Sequence, residues 1–162
     1  MSDPTKLTEK FWKALNSDRT LMLGLKTVEE GFMRPMTAQV ENDQSPIWFF
    51  TSRKTDLAKA LLQTNDQDAT ASFVSKGHDL FATIQGRLCI DNNRAVIDRL
   101  WNHFIAAWFE GGKDDPNLIL LRLDTKQAEI WTDASSLVAD IKMLLGVNPK
   151  QEYKDGVAKL AL

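Results

Sequence analysis

The sequence predicts an α+β domain that consists mainly of antiparallel β-strands wrapped into a barrel, with helices at its periphery. Short apolar runs alternate with turn-forming clusters along most of the chain, which is the pattern of consecutive hairpins. Helical patterns interrupt these runs only occasionally, whereas a parallel α/β sheet needs a helix between successive strands. The chain has 162 residues, of which 43% are hydrophobic, so we expect residues 1–162 to form one domain with a sizeable core.

Composition and charge exclude several classes of function. The net charge of -2 gives the chain no overall attraction to nucleic acid or anionic lipid. No apolar run is long enough to span a bilayer, and the first ten residues lack the apolar core of a signal peptide. We therefore expect a cytoplasmic protein with neither a nucleic-acid nor a membrane partner. One cysteine and two histidines give no basis for a zinc site, and Cys89, within an apolar run, is expected to be a buried structural thiol.

The first half of the chain predicts a helix, a strand, a hairpin and a second helix. Pro4 starts the first helix, in which Leu7, Phe11 and Leu15 recur every four residues. Gly24 interrupts the following strand and indicates a bend or a close backbone approach. The predicted ranges are 20–28 for the strand, 33–54 for the hairpin with its turn at 42–46, and 55–63 for the second helix.

The second half predicts two more hairpins and two more helices. Gly86 lies within a long apolar run and indicates a β-bulge there. Asp124, Thr125 and Lys126 are typical of a turn between two short strands. The predicted ranges are 69–74 and 80–90 for one hairpin, 93–103 for a helix, 118–123 and 128–132 for the last hairpin, 135–145 for a closing helix, and 146–162 for a polar tail.

The junction between the first hairpin and the helix that follows it brings hydroxyls and positive charge together. Thr51, Ser52, Arg53 and Lys54 stand directly before the helix start. Helix N-termini, hydroxyls and cations all favour an anion, and together they suit a phosphate. A solvated basic pair is the plainer interpretation, and Asp56 could neutralise the helix end by capping it.

The aromatic residues and one histidine admit both structural and functional interpretations. Successive strand residues face opposite sides, so at least one ring among residues 48–50 is expected to enter the core. Trp108 and Phe109 stand beside two glycines, and such a turn leaves a neighbouring aromatic residue little core to enter, so we expect an interface or cofactor-rim role. His78 lies in a turn-rich segment and is expected to be a solvated loop residue.

Four segments of the chain, in this order and spacing, are RPMTAQV, PIWFFTSRKTDL, HDLFATIQGRL and WNHFIAAWFEGGKDDPNLILLRLD. They closely resemble bacterial general stress proteins of the pyridoxamine 5'-phosphate oxidase-like superfamily, and the resemblance covers nearly the whole chain. The run AAWFEGGKDDP is the most specific part, whereas a Thr-Ser-Arg-Lys junction alone would be a weak signal. The resemblance implies a split β-barrel that forms a homodimer and binds flavin mononucleotide (FMN) in two clefts at the subunit interface.

The resemblance also implies flavin contacts at nine positions, in three groups. They are Arg34, Thr51, Ser52, Arg53 and Lys54 at the phosphate, Met36 and Thr37 at the isoalloxazine ring, and Trp108 and Lys113 in a segment that reaches over from the other subunit. No catalytic residue and no metal ligand follows from it.

Two departures from the pyridoxamine phosphate oxidases argue against vitamin B6 oxidation. Gln39 stands where those oxidases are expected to carry a phosphate-binding lysine. Trp131 is followed by Thr-Asp-Ala-Ser-Ser, without the arginine and histidine that would hold the vitamin phosphate and position its amine. The groups expected to bind that substrate are therefore absent.

Two functions from different classes follow from the resemblance. The first is a flavin-dependent oxidoreductase that takes electrons from a reduced nicotinamide, NAD(P)H, and passes them to a small organic acceptor. The second is a flavin-binding or flavin-storing protein without efficient turnover, which the two departures favour. Family membership alone does not establish turnover. A haem or deazaflavin ligand is a weaker alternative, because only His78 lies in a turn as a candidate haem ligand and the acidic chain offers no long basic cleft.

Overall fold

Eight β-strands form one curled antiparallel sheet with helices packed around it in the computed structural model, which describes residues 4–26, 32–132 and 157–162. The strands are β1 (Thr20–Leu25), β2 (Arg34–Thr37), β3 (Gln39–Glu41), β4 (Gln44–Ser52), β5 (Asp66–Val74), β6 (Leu80–Ile90), β7 (Leu118–Thr132) and β8 (Val157–Ala161). The helices are α1 (Pro4–Asp18), α2 (Asp56–Thr64), α3 (Arg94–Leu100) and α4 (His103–Ala106). None of these helices is long and apolar enough to cross a membrane.

The two ends of the sheet are consecutive in the chain. The strand order is β2-β1-β5-β6-β7-β4-β3, and only Ala38 separates β2 from β3. Because the edge strands are joined through one residue, the sheet must curl back on itself. β8 pairs with the part of β7 that lies beyond its pairing with β4. This curled sheet with its few helices confirms the predicted α+β split barrel.

The barrel is split beside β2. β3 pairs with β4 only as far as Gln39 and Trp48, whereas β2 pairs with β1, from Thr37 to Arg34. Among the described residues, no ladder joins β2 to the second half of β4. The two strands therefore diverge, and a cleft opens between them.

The main core lies between α1, α2 and the sheet. α1 is amphipathic as predicted, with Leu7, Phe11, Trp12 and Leu15 buried on one face. Phe11 packs edge-on against Phe73 of β5, with 6.4 Å between the ring centroids. Full burial of an apolar side chain of this kind contributes about 1.5–3 kcal/mol. α1 is thereby fixed against the barrel.

A second, smaller core lies beneath α3, α4 and the residues that follow them. Its buried members are Trp48, Val96, Ile97, Ile105, Phe109, Leu118 and Leu120. Phe50 and Trp101 pack against this core, edge-on to each other at 6.1 Å. Residues 101–117, called the arm below, are therefore anchored to the barrel by apolar contacts. Since Trp48 and Phe49 are both buried, the prediction that rings from residues 48–50 enter the core is confirmed.

The predicted last hairpin is wrong, because residues 118–132 form the single strand β7. The register between β6 and β7 shifts at Gly86, and Lys126 is the extra residue on β7. This shift confirms the bulge predicted at Gly86, where an added Cβ would lie 2.3 Å from the carbonyl oxygen of Asp124. The turn-like cluster thus lies at a bulge and not at a chain reversal.

The helix predicted over 93–103 ends earlier and is followed by a second helix. α3 ends at Leu100, and Trp101 has extended backbone dihedrals. Asn102 then starts α4, because its side chain accepts a hydrogen bond from the backbone N–H of Ile105. The polar residue Asn102, near the end of the predicted helix, is therefore a cap, which the apolar spacing alone does not reveal.

Several other predicted segments differ in extent or lie outside the described residues. The strand expected before residue 42 is divided into β2 and β3, and the turn is confined to Asn42 and Asp43, whose φ angles are 59° and 49°. Val157–Ala161, in the expected polar tail, form β8. Two predictions fall outside the described residues. They are the end of the first strand, within residues 27–31, and the closing helix, within residues 133–156.

Candidate functional site

A cleft of about 640 Å³ lies where β2 and β4 diverge. Residues 35–37 of β2 form one wall, and residues 50–52 of β4 form another. Side chains of the arm between 102 and 109 close a third side. Sites for small molecules typically have volumes of roughly 300–1,000 Å³, so the cleft has the size of a ligand site.

The walls of the cleft are mainly apolar and include four aromatic rings. Phe50 and Phe109 line the cleft from the second core, whereas Phe104 and Trp108 are 71% and 84% exposed. The expectation that both Trp108 and Phe109 lack a core to enter is wrong for Phe109. Its ring turns inward after α4 and packs 6.3 Å from the ring of Trp101. Flat apolar walls of this kind suit a flat ring system.

Three hydroxyl groups lie together at the end of β4. Thr51 Oγ1 and Thr55 Oγ1 are 3.3 Å apart, and the Thr55 hydroxyl donates to the Ser52 carbonyl at 2.9 Å. Thr55 also accepts from the Ala58 N–H at 3.2 Å and so caps α2. The helix is therefore capped by Thr55 and not by Asp56.

The two cations that follow these hydroxyls are exposed and form no ion pair with any described carboxylate. Arg53 Nε donates to the Pro116 carbonyl at 3.2 Å, and its backbone N–H donates to the Asn117 carbonyl at 2.7 Å. The Lys54 backbone N–H donates to Ser52 Oγ at 3.2 Å. Because these N–H groups and the Thr55 hydroxyl proton are already bonded, the donors left for an anion are the hydroxyls of Thr51 and Ser52 and the charged side chains.

The pairing of arginines distinguishes this region from the rest of the molecule. Four of the seven arginines form ion pairs with carboxylates, namely Arg87, Arg94, Arg99 and Arg122. Within residues 4–26, 32–132 and 157–162, Arg19, Arg34 and Arg53 have no such partner. Arg19 lines the cleft, Arg53 follows its hydroxyls, and Arg34 starts β2. These cations make the cleft locally attractive to anions despite the net negative charge.

Five of the nine positions assigned by resemblance line the cleft: Met36, Thr37, Thr51, Ser52 and Trp108. Arg34, Arg53, Lys54 and Lys113 do not line it. Arg34 is half-buried in β2, opposite Leu23 of β1. The Lys113 Nζ lies 3.1 Å from Oδ1 of Asp98. Ligand contact at each of the nine positions stays a prediction.

Ion pairs attach the arm to α3. Asp98 pairs with Lys113 at 3.1 Å and with Arg94 at 3.3 Å, and Arg94 also pairs with Asp114 at 2.6 Å. The hydrogen bond from Lys113, aided by the charge of Arg94, holds the pKa of Asp98 below its usual range. Each pair is exposed and is worth little alone, but the network fixes the course of the arm past the cleft.

Sequence reasoning did not assign several cleft residues to the site. Gln39, noted only as a departure from the oxidases, is 7% exposed and lines the cleft. Arg19 and Phe104 also line it, and no local pattern marks either residue. For Thr55 a signal did exist, because a hydroxyl residue before an apolar helical repeat is typical of an N-cap.

Neither the cysteine nor the turn histidine lines the cleft. Cys89 is half-buried in β6, and burial raises the pKa of its thiol, which keeps it protonated at neutral pH. His78 is exposed as expected and has a φ of 56°. In the part of the chain that the structure describes, no three His, Cys, Asp or Glu side chains are grouped to hold a metal.

Comparison with known proteins assigns the family. Residues 6–154 match the family described as "Pyridoxamine 5'-phosphate oxidase like". A general stress family protein from Xanthomonas campestris pv. campestris is 58% identical, with 84% of this chain and 93% of that chain covered and a TM-score of 0.77. The general stress FMN/FAD binding protein from Xanthomonas citri is also 58% identical, with 82% of this chain and 92% of that chain covered and a TM-score of 0.75. General stress protein 26 from Jannaschia sp. CCS1 is 30% identical, with 99% of this chain and 100% of that chain covered and a TM-score of 0.79. The chain therefore belongs to the pyridoxamine 5'-phosphate oxidase-like family and, within it, to the general stress proteins.

Proposed function

We propose that the cleft binds FMN. The observation that carries this proposal is an apolar, aromatic cleft that has hydroxyls at one end and two cations beside them without a carboxylate partner among the described residues. The faces of an isoalloxazine ring suit apolar and aromatic walls, and a phosphate suits hydroxyl and cationic donors. The residues present therefore fit both ends of the nucleotide.

The proposed contacts follow the two ends of the cleft. The phosphate is held by the hydroxyls of Thr51 and Ser52 and by the side chains of Arg53, Lys54 and Arg34, and the ring lies against Met36 and Thr37 of β2. The relative from Xanthomonas citri, which is described as FMN/FAD binding, supports a flavin as the ligand.

We also propose that a second copy of the chain covers the open side of the cleft. Phe104 and Trp108 present large exposed aromatic surface beside it, and such surface is typical of an interface. Trp108 lines the cleft of its own chain, so in this homodimer it lies beside the flavin of its own subunit and at the interface, whereas Lys113 reaches the flavin of the partner subunit. Lys113 would then either leave Asp98 for the partner's flavin or contact both groups at once.

The proposed activity is flavin-dependent oxidoreduction. Bound flavin supplies hydride or electron transfer between NAD(P)H and a small organic acceptor. The protein's part is to orient the ring against β2, to hold the phosphate, and to exclude water with the aromatic side chains of the arm. None of the described residues that line the cleft is Asp, Glu, His or Cys. The proposed activity therefore uses no side-chain base, and flavin chemistry requires none.

Flavin binding or storage without efficient turnover is the second candidate function. Gln39 favours it, because this cleft residue provides no charge where the pyridoxamine phosphate oxidases are expected to hold a substrate phosphate. Steady-state oxidation of NADH by the protein with added FMN separates the two functions. A rate no faster than that of free FMN would eliminate the oxidoreductase and leave the storage function.

Titration with FMN, followed by the absorbance and fluorescence of the flavin, tests the site. Arg53→Ala combined with Lys54→Ala is expected to abolish most binding, because each charge-assisted contact contributes about 1.5–3 kcal/mol. Lys6→Ala with Lys10→Ala, two exposed lysines of α1, is the matched control for the loss of two charges. Equal FMN affinity in both double variants would place the site elsewhere.

A further inference from the structure

Gln39 is a buried residue whose side-chain amide has no hydrogen-bond partner among the described residues. Its side chain is 7% exposed, it lines the cleft, and it forms no hydrogen bond with any other described residue. Buried polar side chains in folded proteins are almost always hydrogen-bonded to protein or to ordered water. Because the amide of Gln39 opens onto the cleft and has no described partner, its hydrogen bonds are completed by water or by a bound molecule, and a ligand in the cleft can therefore reach it.

Arg19 lines the same cleft and is the one charged residue among the described residues that line it. Its side chain makes a long contact, from Nε to the Asn16 carbonyl at 3.4 Å, and no described carboxylate pairs with it. The backbone holds it in place: its N–H donates to the Leu15 carbonyl at 2.7 Å, and its carbonyl accepts from the Ala38 N–H at 2.6 Å. Arg19 is therefore fixed beside the residue that precedes Gln39.

The two residues stand away from the hydroxyl end of the cleft. Gln39 is opposite Trp48 in the β3–β4 ladder, and Ser52 lies four residues further along β4. Four residues of a strand span about 13 Å. The cleft thus has polar groups at two separated places, with apolar and aromatic walls between them.

We propose that Arg19 and Gln39 bind a planar group that presents acceptor oxygens. A guanidinium offers several donors in a fixed fork, and a glutamine amide offers one donor side and one acceptor side. Two sources share this chemistry: the carbonyl edge of the flavin ring, and the carboxylate of a small second ligand. The inference rests on the proposed flavin site, since it assigns a role to the end of that cleft away from the phosphate.

Riboflavin and benzoate serve as probes for the two sources. Riboflavin lacks the phosphate, so its affinity reports the contacts of the ring and the ribityl chain without those of the phosphate. Benzoate added to the FMN-loaded protein reports a separate carboxylate subsite. Arg19→Gln and Gln39→Leu remove the donors, and Lys6→Gln on α1 is the matched control for a lost surface charge. Near-ultraviolet circular dichroism shows that each variant is folded.

Weaker riboflavin binding in both variants, by fivefold or more, supports the inference with the flavin ring edge as the bound group. Weaker benzoate binding with unchanged riboflavin binding supports it with a second ligand as the source. Unchanged affinity for both probes in folded variants that still bind FMN overturns the inference and leaves the proposed function intact. Failure of the unchanged protein to bind FMN would instead overturn the proposed function.

Discussion

Arg53 Nε donates a hydrogen bond to the carbonyl oxygen of Pro116 at 3.2 Å, although 63 positions separate the two residues in the chain. The Arg53 backbone N–H donates in addition to the Asn117 carbonyl at 2.7 Å. These bonds join the cationic junction after β4 to the end of the arm that carries Trp108. The same arginine therefore connects the proposed phosphate end of the cleft with its aromatic side.

Arg53 and Lys54 are expected to differ when they are replaced singly. Lys54→Ala removes a charge that forms no ion pair with a described carboxylate and acts on Asp115 only at longer range, so FMN affinity should fall roughly 10-fold or more while stability changes little. Arg53→Ala should weaken FMN binding and also lower the free energy of unfolding by about 1 kcal/mol, because the bond to Pro116 is lost.

Fluorescence titration with FMN and urea unfolding of the flavin-free proteins measure the two quantities separately. Arg53→Lys is an informative third variant, because it keeps the charge and loses the guanidinium geometry. Its stability should resemble that of Arg53→Ala, and its FMN affinity should lie between those of Arg53→Ala and the unchanged protein. If Arg53→Ala were fully stable, the contact with Pro116 would have no structural role.

Trp108→Ala is expected to weaken the proposed homodimer. The side chain is 84% exposed beside the cleft, and truncation of an aromatic residue at the centre of an interface typically costs about 2 kcal/mol or more, which is roughly a 30-fold weaker association. Light scattering over a range of protein concentrations measures the change. Phe32→Ala removes another exposed aromatic side chain, 75% exposed and outside the cleft, and should have no effect.

Two results would count against the role given to Trp108. A dimer as stable as that of the unchanged protein would remove Trp108 from the interface. A monomeric variant with full flavin binding and activity would show that neither the arm nor the partner subunit contributes to the site.

Local patterns were sufficient for most of the fold, because hairpins and amphipathic helices are encoded by neighbouring residues. The bulge at Gly86 shows the limit of this reasoning. Bulges and turns both favour residues such as Asp124 and Thr125, so the sequence alone does not distinguish a chain reversal from a register shift. In the structure β6 pairs with β7 on both sides of the shift, from Leu121 to Thr132, and this long-range pairing keeps residues 118–132 in one strand.

The site was predictable only where its residues are close in sequence. Thr51 and Ser52 belong to one continuous junction, and the pattern of hydroxyls and cations before a helix marks it. Arg19 and Gln39 line the same cleft because β1 pairs with β2 in a register that sets Thr20 opposite Thr37. Such a register depends on tertiary packing, and no local pattern reveals it.

The carboxylate of Asp115 should make the stability of the arm depend on pH. It accepts hydrogen bonds from the backbone N–H groups of Gly111 at 3.0 Å and of Asn117 at 2.9 Å, and these two bonds lower the pKa of Asp115. A carboxyl whose pKa is lower in the folded state stabilises the fold above its unfolded pKa of about 3.9, and this contribution is lost as the pH falls through the lower folded value.

Asp115→Asn should therefore be less stable than the unchanged protein at neutral pH, and the difference should narrow as the pH falls below about 4. Urea unfolding at several pH values measures it. Asp43→Asn, at the exposed turn before β4, is a suitable comparison for the loss of one carboxylate. If the difference in free energy of unfolding were the same at all pH values, the charge of Asp115 would not be its cause.

Gly86→Ala should destabilise the barrel more than a typical surface substitution. A Cβ at this position would lie 2.3 Å from the Asp124 carbonyl oxygen and 3.1 Å from a methyl carbon of Leu123, so the backbone of β7 would have to move. Overpacking of this kind costs about 1–3 kcal/mol. Gly77→Ala is the matched control, because its Cβ would meet nothing closer than the Asp79 carboxylate at 3.7 Å. Urea unfolding should give a lower midpoint for Gly86→Ala with an unchanged slope, since the fold is retained but its longest ladder is strained. Equal midpoints for the two variants would mean that the bulge can relax, and that the register of β6 against β7 does not depend on the glycine.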